Sequence, residues 1–340
     1  MANKILLLTF LFLNCALAQI EKSFYVASWN VENLFDTLDC PDKDDSEFLP
    51  SSEKKWNTEK YKQKLTNLAK VINDMNDNNG PDILGLVETE NINVVNDLIN
   101  VINLSNNKNY KVVHIESPDP RGIDNALIFN SDFFNLIDSK PLHVYLDSSH
   151  SETRYILKVE LQLTNGNNEK IKVFVNHWPS RRGGEDSSEK FRITAAKVLE
   201  KEINLSDCSI DNIIIVGDFN DEPNNNSIKE ILNAKSLKEL CENPGCLFNL
   251  STEKKENGEG TYYYRGNWNM LDQMIISRSL LKKGKIQYNL NSFEIIKPLY
   301  MITKEGRYEG STIPTFGGKK YLGGYSDHFP IGAKFSLISE

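Results

Sequence analysis

Apolar residues along the chain gather into short runs separated by polar stretches. Runs rich in Val, Ile, Leu and aromatic side chains lie at Phe24–Trp29, Ile83–Val87, Val112–Ile115, Ala126–Phe129, Tyr155–Leu163, Ile171–Asn176, Asn212–Val216, Leu271–Ile276 and Ile331–Phe335. Each predicts a β-strand. Between Thr58 and Met75, Tyr61, Leu65, Leu68, Ala69 and Ile72 recur at helical spacing. Phe191, Ala195, Val198 and Leu199 do the same between Ser188 and Ile203. Pairs of adjacent strands mixed with isolated helices predict a layered α/β domain rather than a doubly wound parallel sheet. No Pro/Gly/Ser linker and no internal repeat divides residues 19–340, so one domain is expected there. Loops rich in Asn, Asp and Lys at 36–57 and 251–260 read as surface insertions.

The first residues follow another pattern. Lys4 precedes an apolar run from Ile5 to Leu13, and Ala16-Leu17-Ala18 then supplies a small-x-small cleavage site. Residues 1–18 are therefore expected to be a signal peptide, giving an exported protein, secreted or periplasmic. The run is short for a bilayer span, and no second apolar stretch of that kind follows, so stable membrane insertion is not expected. Cys15 invites a lipid anchor, but Asn14 before it is bulkier than the residue such cleavage prefers.

Composition narrows the class. With 340 residues, 39% hydrophobic and 25% charged, the chain is globular rather than disordered or fibrous. A formal net charge of −8 excludes a protein that coats nucleic acid or anionic membranes by bulk charge. Any polyanion must be gripped locally, by a few basic side chains or a bound cation. Five cysteines are too few for a disulfide scaffold. Cys241 and Cys246 flank the turn sequence Glu-Asn-Pro-Gly, which suits a local disulfide. Cys40 and Cys208 pair only if the fold brings them together; free thiols are the other reading.

Several apolar runs end in residues able to bind metal or phosphate. Phe24–Trp29 runs into Asn30, Ile83–Val87 into Glu88, and Ile171–Val175 into Asn176 and His177. Ile213–Val216 runs into Gly217-Asp218-Phe219-Asn220, and Ser326-Asp327-His328 precedes the last strand. One carboxylate at a strand end is usually a cap or turn-former, and His114, His143 and His150 read as structural histidines. Five such endings in one chain point instead to a site on one rim of a sheet. Glu88, Asp327 and the Asn30 amide oxygen are hard donors suited to magnesium, manganese or calcium. With His177 and His328 they form the equipment for attack of water on a phosphate ester.

The segments SWNVENL (28–34), LVETEN (86–91), VNHWPS (175–180), VGDFND (216–221), NMLDQMI (269–275) and GYSDHFP (324–330) resemble, in order, the endonuclease/exonuclease/phosphatase superfamily. NHWPSRRGG resembles an exported bacterial branch of it. The resemblance runs from about Phe24 to Phe335. It implies the pancreatic-deoxyribonuclease-like fold, a four-layer α-β-β-α sandwich of two packed mixed sheets with the site at one end. It also implies roles. Asn30 and Glu88 match the principal metal shell, and Asp327 a further ligand or a support for His328. Asp272 matches the carboxylate that pairs with His328. Asp218 matches the group that orients water, with Asn220 holding phosphate or water. His177 matches a second histidine acting on the phosphate, its partner carboxylate placed at Asp124. Arg154 matches a phosphate-contacting arginine; Arg121, Arg181 and Arg182 are further candidates.

Other features stay open between two readings. Glu32 could enter the metal shell or be a solvated turn residue. The acidic stretch from Asp36 to Asp45 lacks the spacing of a calcium loop and reads as surface. TYYYRGNW (261–268) and the insertion 304–325 interleave aromatic and basic residues, as base stacking requires, although alternation could also bury Tyr262 and Tyr264 in the core. The expected activity is metal-dependent phosphodiester hydrolysis, as a nuclease on DNA or RNA acting as a monomer. The alternative is a phosphatase or phosphodiesterase on an inositol phosphate or phospholipid head group.

Overall fold

A computed structural model describes residues 22–338 except 147–151, 165–167, 242, 244 and 283. The expected signal peptide and His150 lie outside the described residues. In chain order the strands open with β1 (Lys22–Leu34), β2 (Ile83–Thr89), β3 (Tyr110–His114), β4 (Asp124–Asn130), β5 (Phe134–Leu142) and β6 (Ile156–Leu163). Next come β7 (Lys170–His177), β8 (Asn212–Asp218), β9 (Ala234–Lys235), β10 (Leu247–Asn249), β11 (Tyr262–Tyr264) and β12 (Asn267–Asn269). The series ends with β13 (Asp272–Ser277), β14 (Ile286–Tyr288), β15 (Glu294–Ile295), β16 (Phe316–Gly317), β17 (Lys320–Tyr321) and β18 (Ile331–Leu337). The helices are α1 (Thr58–Asn78), α2 (Ile92–Ile102), α3 (Glu185–Ile203) and the short α4 (Thr252–Glu256).

Two seven-stranded mixed sheets form the centre. One runs β14-β18-β1-β2-β4-β3 with β15 also on β18; the other runs β5-β6-β7-β8-β13-β10-β9. β1 is parallel to β2 and β7 to β8, whereas β18 and β13 run antiparallel to β1 and β8. The sheets pack through β1 and β2 against β7 and β8, and through β4 against β7. They pack tightly at Gly85, where an added Cβ would meet Val216 at 3.0 Å and Val175 at 3.3 Å. Helices α1 and α2 cover the outer side of the first sheet. Ala195, Ala196, Leu199 and Ile203 of α3 bury against Phe174, Ile213 and Ile215 of the second. This is the expected α-β-β-α sandwich. Among the described residues no helix is long and apolar enough to cross a membrane.

All nine expected strands and both helices form. Among the further elements that were not expected, β5 and α2 are the longest. β5 is an edge strand that carries Pro141 and leaves Asn135 to Asp138 exposed, so its residues do not alternate between a buried and a solvent face. α2 is capped by the Asn91 side chain, which accepts from the Asn93 and Val94 amides, and the Asn-rich segment hides its apolar face. Cys241 and Cys246 are disulfide-bonded, while Cys40 and Cys208 are free thiols.

Candidate active site

Alternation along the strands carries polar groups to one rim of the sandwich. In β7, Ile171, Val173 and Val175 face the other sheet while Phe174 faces α3. His177 continues the inner row. In β8, Ile214 and Val216 are inner residues, and Asp218 continues them. Met274 and Ile276 define the inner face of β13, so Asp272 opens it on the same side. In β1, Phe24 meets Phe134 of the opposite sheet at 5.3 Å, which puts Val26, Ser28 and Asn30 in the inner row. These strand ends come together because the parallel pairs finish, and the antiparallel partners start, at the same rim.

Two backbone devices complete the set. Glu88 lies one residue after the inner Val87 and would point outward by alternation. A break in register between Val87 and Thr89, with Glu88 at φ 67°, turns it inward. Gly217 at φ 133° lets β8 pass so close to β7 that an added Cβ would lie 1.9 Å from the Asn176 carbonyl oxygen.

The resulting cavity, of about 320 Å³, is lined by Asn30, Glu88, His177, Asp218, Asp327 and His328, with Asn220, Arg121, Arg181 and Arg182 also on its wall. His328 Nδ1 and Asp272 Oδ2 lie 2.7 Å apart, while His328 Nε2 is 3.9 Å from Asp218 Oδ2. His177 Nε2 stands 3.7 Å from Glu88 Oε1 and 3.8 Å from Asp218 Oδ2. Asn220 donates its backbone N–H to Asp218 Oδ1 at 2.9 Å. Trp29 Nε1 donates to the His328 carbonyl, Ser326 Oγ donates to the Asn30 carbonyl, and the Tyr262 ring stacks on His328 at 4.6 Å. None of these three was expected as a support, and no spacing in the sequence marks them.

The two imidazoles are poised oppositely. Burial lowers a histidine, but at His328 the Asp272 and Asp327 carboxylates and the Asp272 hydrogen bond outweigh it, raising it well above the usual value. His177 has no such partner. Burial, with the nearby Arg154, Arg121 and His328, holds it well below the usual value, and its Nδ1 has no hydrogen-bond partner. Burial likewise raises Asp218, and it raises Asp327 to about 7, helped by Glu32 and Glu88 and opposed by His328 and Lys64. Several carboxyl groups gathered around one cavity, with burial raising Asp218 and Asp327, are a setting that a hard cation suits. Asp218, Asp272 and His328 also bring ligand atoms within 4.8 Å of one another. There Asp272 Oδ2 is already engaged by the imidazole.

Four expectations need correction. Asp124 does not reach His177. Asn125 is the residue of β4 that faces β7, donating to the Val175 carbonyl, so Asp124 points to the outer face. It accepts from the Ser117 amide and lies 3.5 Å from His114 Nε2. Arg154 is buried and is not a wall of the cavity. Its Nε and Nη2 donate to the carbonyls of His177 and Trp178, and its Nη1 pairs with Asp119 at 2.7 Å. Arg154 therefore positions the His177 backbone and, through Asp119, the turn that carries Arg121. Asn30 turns its Nδ2 to Asp218 and Glu88, while its oxygen accepts from the Glu32 amide; ligating a cation requires the amide to flip. Glu32 is neither ligand nor solvated turn: its carboxylate accepts from the Thr315 amide at 2.6 Å and lies 3.7 Å from buried Lys64. Arg181 is on the wall, but its Nε donates to the Asn220 carbonyl and Nη1 pairs with Glu185. Arg182 and Arg121 are the more available cations.

Fold and site together define the class: two mixed sheets packed face to face, with carboxylates, imidazoles and arginines gathered around a cavity at one end. The chain matches, over residues 25–336, and belongs to, the Endonuclease/Exonuclease/phosphatase family. A family protein from Bacteroides thetaiotaomicron shares the fold with a TM-score of 0.58 at 13% identity, covering 94% of this chain and 99% of that one. D. rerio TDP2 complexed with single strand DNA product gives 0.57 at 13%, covering 92% and 98%. The human Nocturnin catalytic domain with bound sulfate anion gives 0.52 at 17%, covering 94% and 98%. A search of curated protein sequences returned no match.

Proposed function

We propose that the protein is an exported, divalent-cation-dependent phosphodiester hydrolase acting on DNA or RNA. The observation that supports it most is the placement of Asp218 between the two oppositely poised imidazoles, 3.8 Å from His177 and 3.9 Å from His328. Solved structures of the same fold hold a single strand DNA product or a sulfate anion, ligands of the kind proposed here. Glu88 and Asp327, with Asn30 after its amide flips, would hold the cation, which supplies Lewis-acid polarisation of the phosphate when bound; magnesium suits this oxygen-rich set, as do manganese and calcium.

The side chains divide the remaining work. His328, kept protonated by Asp272, donates to a nonbridging oxygen and offsets charge that grows there. Asp218 accepts a hydrogen bond from the attacking water and orients it. Asn220, fixed by its Nδ2 bond to the Trp178 carbonyl, presents its backbone N–H to Asp218 and keeps that carboxylate aimed. His177, neutral, offers Nε2 on the cavity side. Arg121 and Arg182 draw the substrate's charge to the mouth.

The purified protein, given plasmid DNA, RNA and a panel of phosphomonoesters with magnesium or with a chelator, tests this. Nucleic acid should be cut only with the cation. Asp218→Ala should lose roughly 10²–10⁴ in turnover with little change in melting temperature; His328→Ala should lose as much turnover and also some stability, because it leaves buried Asp272 without its partner. Cleavage of monoesters alone would overturn the nuclease reading, and full activity in chelator would overturn the cation.

A further inference from the structure

The cavity of the candidate site adjoins a second, of about 1020 Å³, which shares Tyr262, Tyr264 and Asp327 with it. The β11–β12 hairpin lines one part of this larger space. The 299–325 loop lines the rest with Tyr300, Tyr308, Ile313, Pro314 and Leu322. The loop is preformed. Buried Lys64 donates to Thr315 Oγ1 and the Tyr325 carbonyl, and Asn67 donates to the Gly323 and Gly324 carbonyls.

Rings lead outward from the catalytic imidazole in order. His328 stacks on Tyr262 at 4.6 Å and 25°, and Tyr262 on Tyr264 at 6.1 Å and 14°. Tyr264 is 51% exposed, and the Arg265 guanidinium lies 5.2 Å from its ring centroid. An exposed ring that continues a stack begun at the reacting end is a platform for another flat group. Charge says what kind. The larger cavity carries Lys304 against Glu305 and Asp327, whereas Arg121, Arg181 and Arg182 line the smaller one. A groove that tracks a phosphate backbone needs a run of cations, which this one lacks. The two cavities thus divide a substrate into an anionic end and an uncharged, flat end, and the larger has room for a nucleoside.

We propose that this cavity is a nucleobase subsite, in which the base next to the scissile phosphate stacks on Tyr264. The proposal rests on the phosphodiesterase reading for the phosphate end and adds to it the place where the substrate's base is held. A free nucleotide and the end of a strand present the base with the same chemistry.

Calorimetric titration of the full chain in magnesium with AMP and with ribose 5-phosphate isolates the base, because the two ligands share sugar and phosphate. AMP should bind at least about tenfold more tightly, the size of one base–aromatic stack. Tyr264→Ala should bring the ratio close to one, and Tyr264→Phe should restore it. Competition between AMP and an octadeoxyadenylate strand then tells free nucleotide from strand end, and displacement by either supports the subsite. Equal affinities for AMP and ribose 5-phosphate overturn it. So does tighter binding of dihexanoyl phosphatidic acid than of AMP, which would make the occupant an acyl chain. Base discrimination without turnover of plasmid DNA, RNA or any phosphomonoester sinks the hydrolase reading alone, and turnover without base discrimination sinks the subsite alone.

Discussion

Asp124 Oδ2 and His114 Nε2 face each other at 3.5 Å, both buried and neither hydrogen-bonded. Burial pushes Asp124 up to about 7 and His114 down to about 4, so at mildly acidic pH both are neutral. A carboxyl raised on folding stabilises fully below its unfolded value near 4, and that contribution is lost as pH rises through about 7. Asp124→Asn keeps the acceptor for the Ser117 amide and removes the ionisation. Its stability relative to the parent, from urea unfolding, should therefore improve between pH 5 and pH 8 by on the order of 2 kcal/mol. His114 acts with the opposite sign, losing stability as pH falls, but it is common to both proteins. Because Asp124 does not touch His177, turnover should stay near the parent's. A pH-independent difference, or a turnover loss as large as that of His177→Ala, would refute the placement.

At the scale of elements, Glu32 shows how a residue in the most recognisable motif can serve packing. It stands at φ 54° just past Asn30, and its carboxylate ties the 299–325 loop and the buried Lys64 ammonium to β1. Glu32→Ala strands that ammonium, with an expected loss of about 3 kcal/mol in urea unfolding. Adding Lys64→Met should recover much of it, since an apolar side chain needs no partner there. If Glu32 were a ligand, the variant would instead show a raised magnesium requirement at unchanged stability. Strands and their inner rows were legible because period-two alternation against a buried face is strict, and it delivers His177, Asp218 and Asp272 directly. Asp124 was misplaced by ignoring that same alternation, since Asn125 takes the inner position of β4. Glu88 needed a bulge that no residue type announces. Arg154 has the chemistry of a phosphate ligand, and only tertiary contacts reveal that its donors are spent on backbone carbonyls.

For the molecule as a whole, a net charge of −8 and a proposed polyanionic substrate are reconciled if the grip is local. Glu88, Asp218 and Asp327 all line one cavity, and burial already lifts Asp218 and Asp327 above the usual carboxylate range. Folding this end without a counter-charge costs free energy that a bound cation offsets, so cation binding and stability must be linked. Magnesium at 100 times its dissociation constant should add about 2.7 kcal/mol to unfolding, and chelator should remove it. Sodium chloride at equal ionic strength screens the general negative charge without filling the site, so it should give only a small part of that increment. Glu88→Gln should be at least as stable as the parent without magnesium and should lose most of the response to it. Equal stabilisation by the two salts, or an undiminished response in Glu88→Gln, would mean that the acidic end is balanced by screening alone and that the phosphate is held by Arg121, Arg182 and His328 without a resident ion.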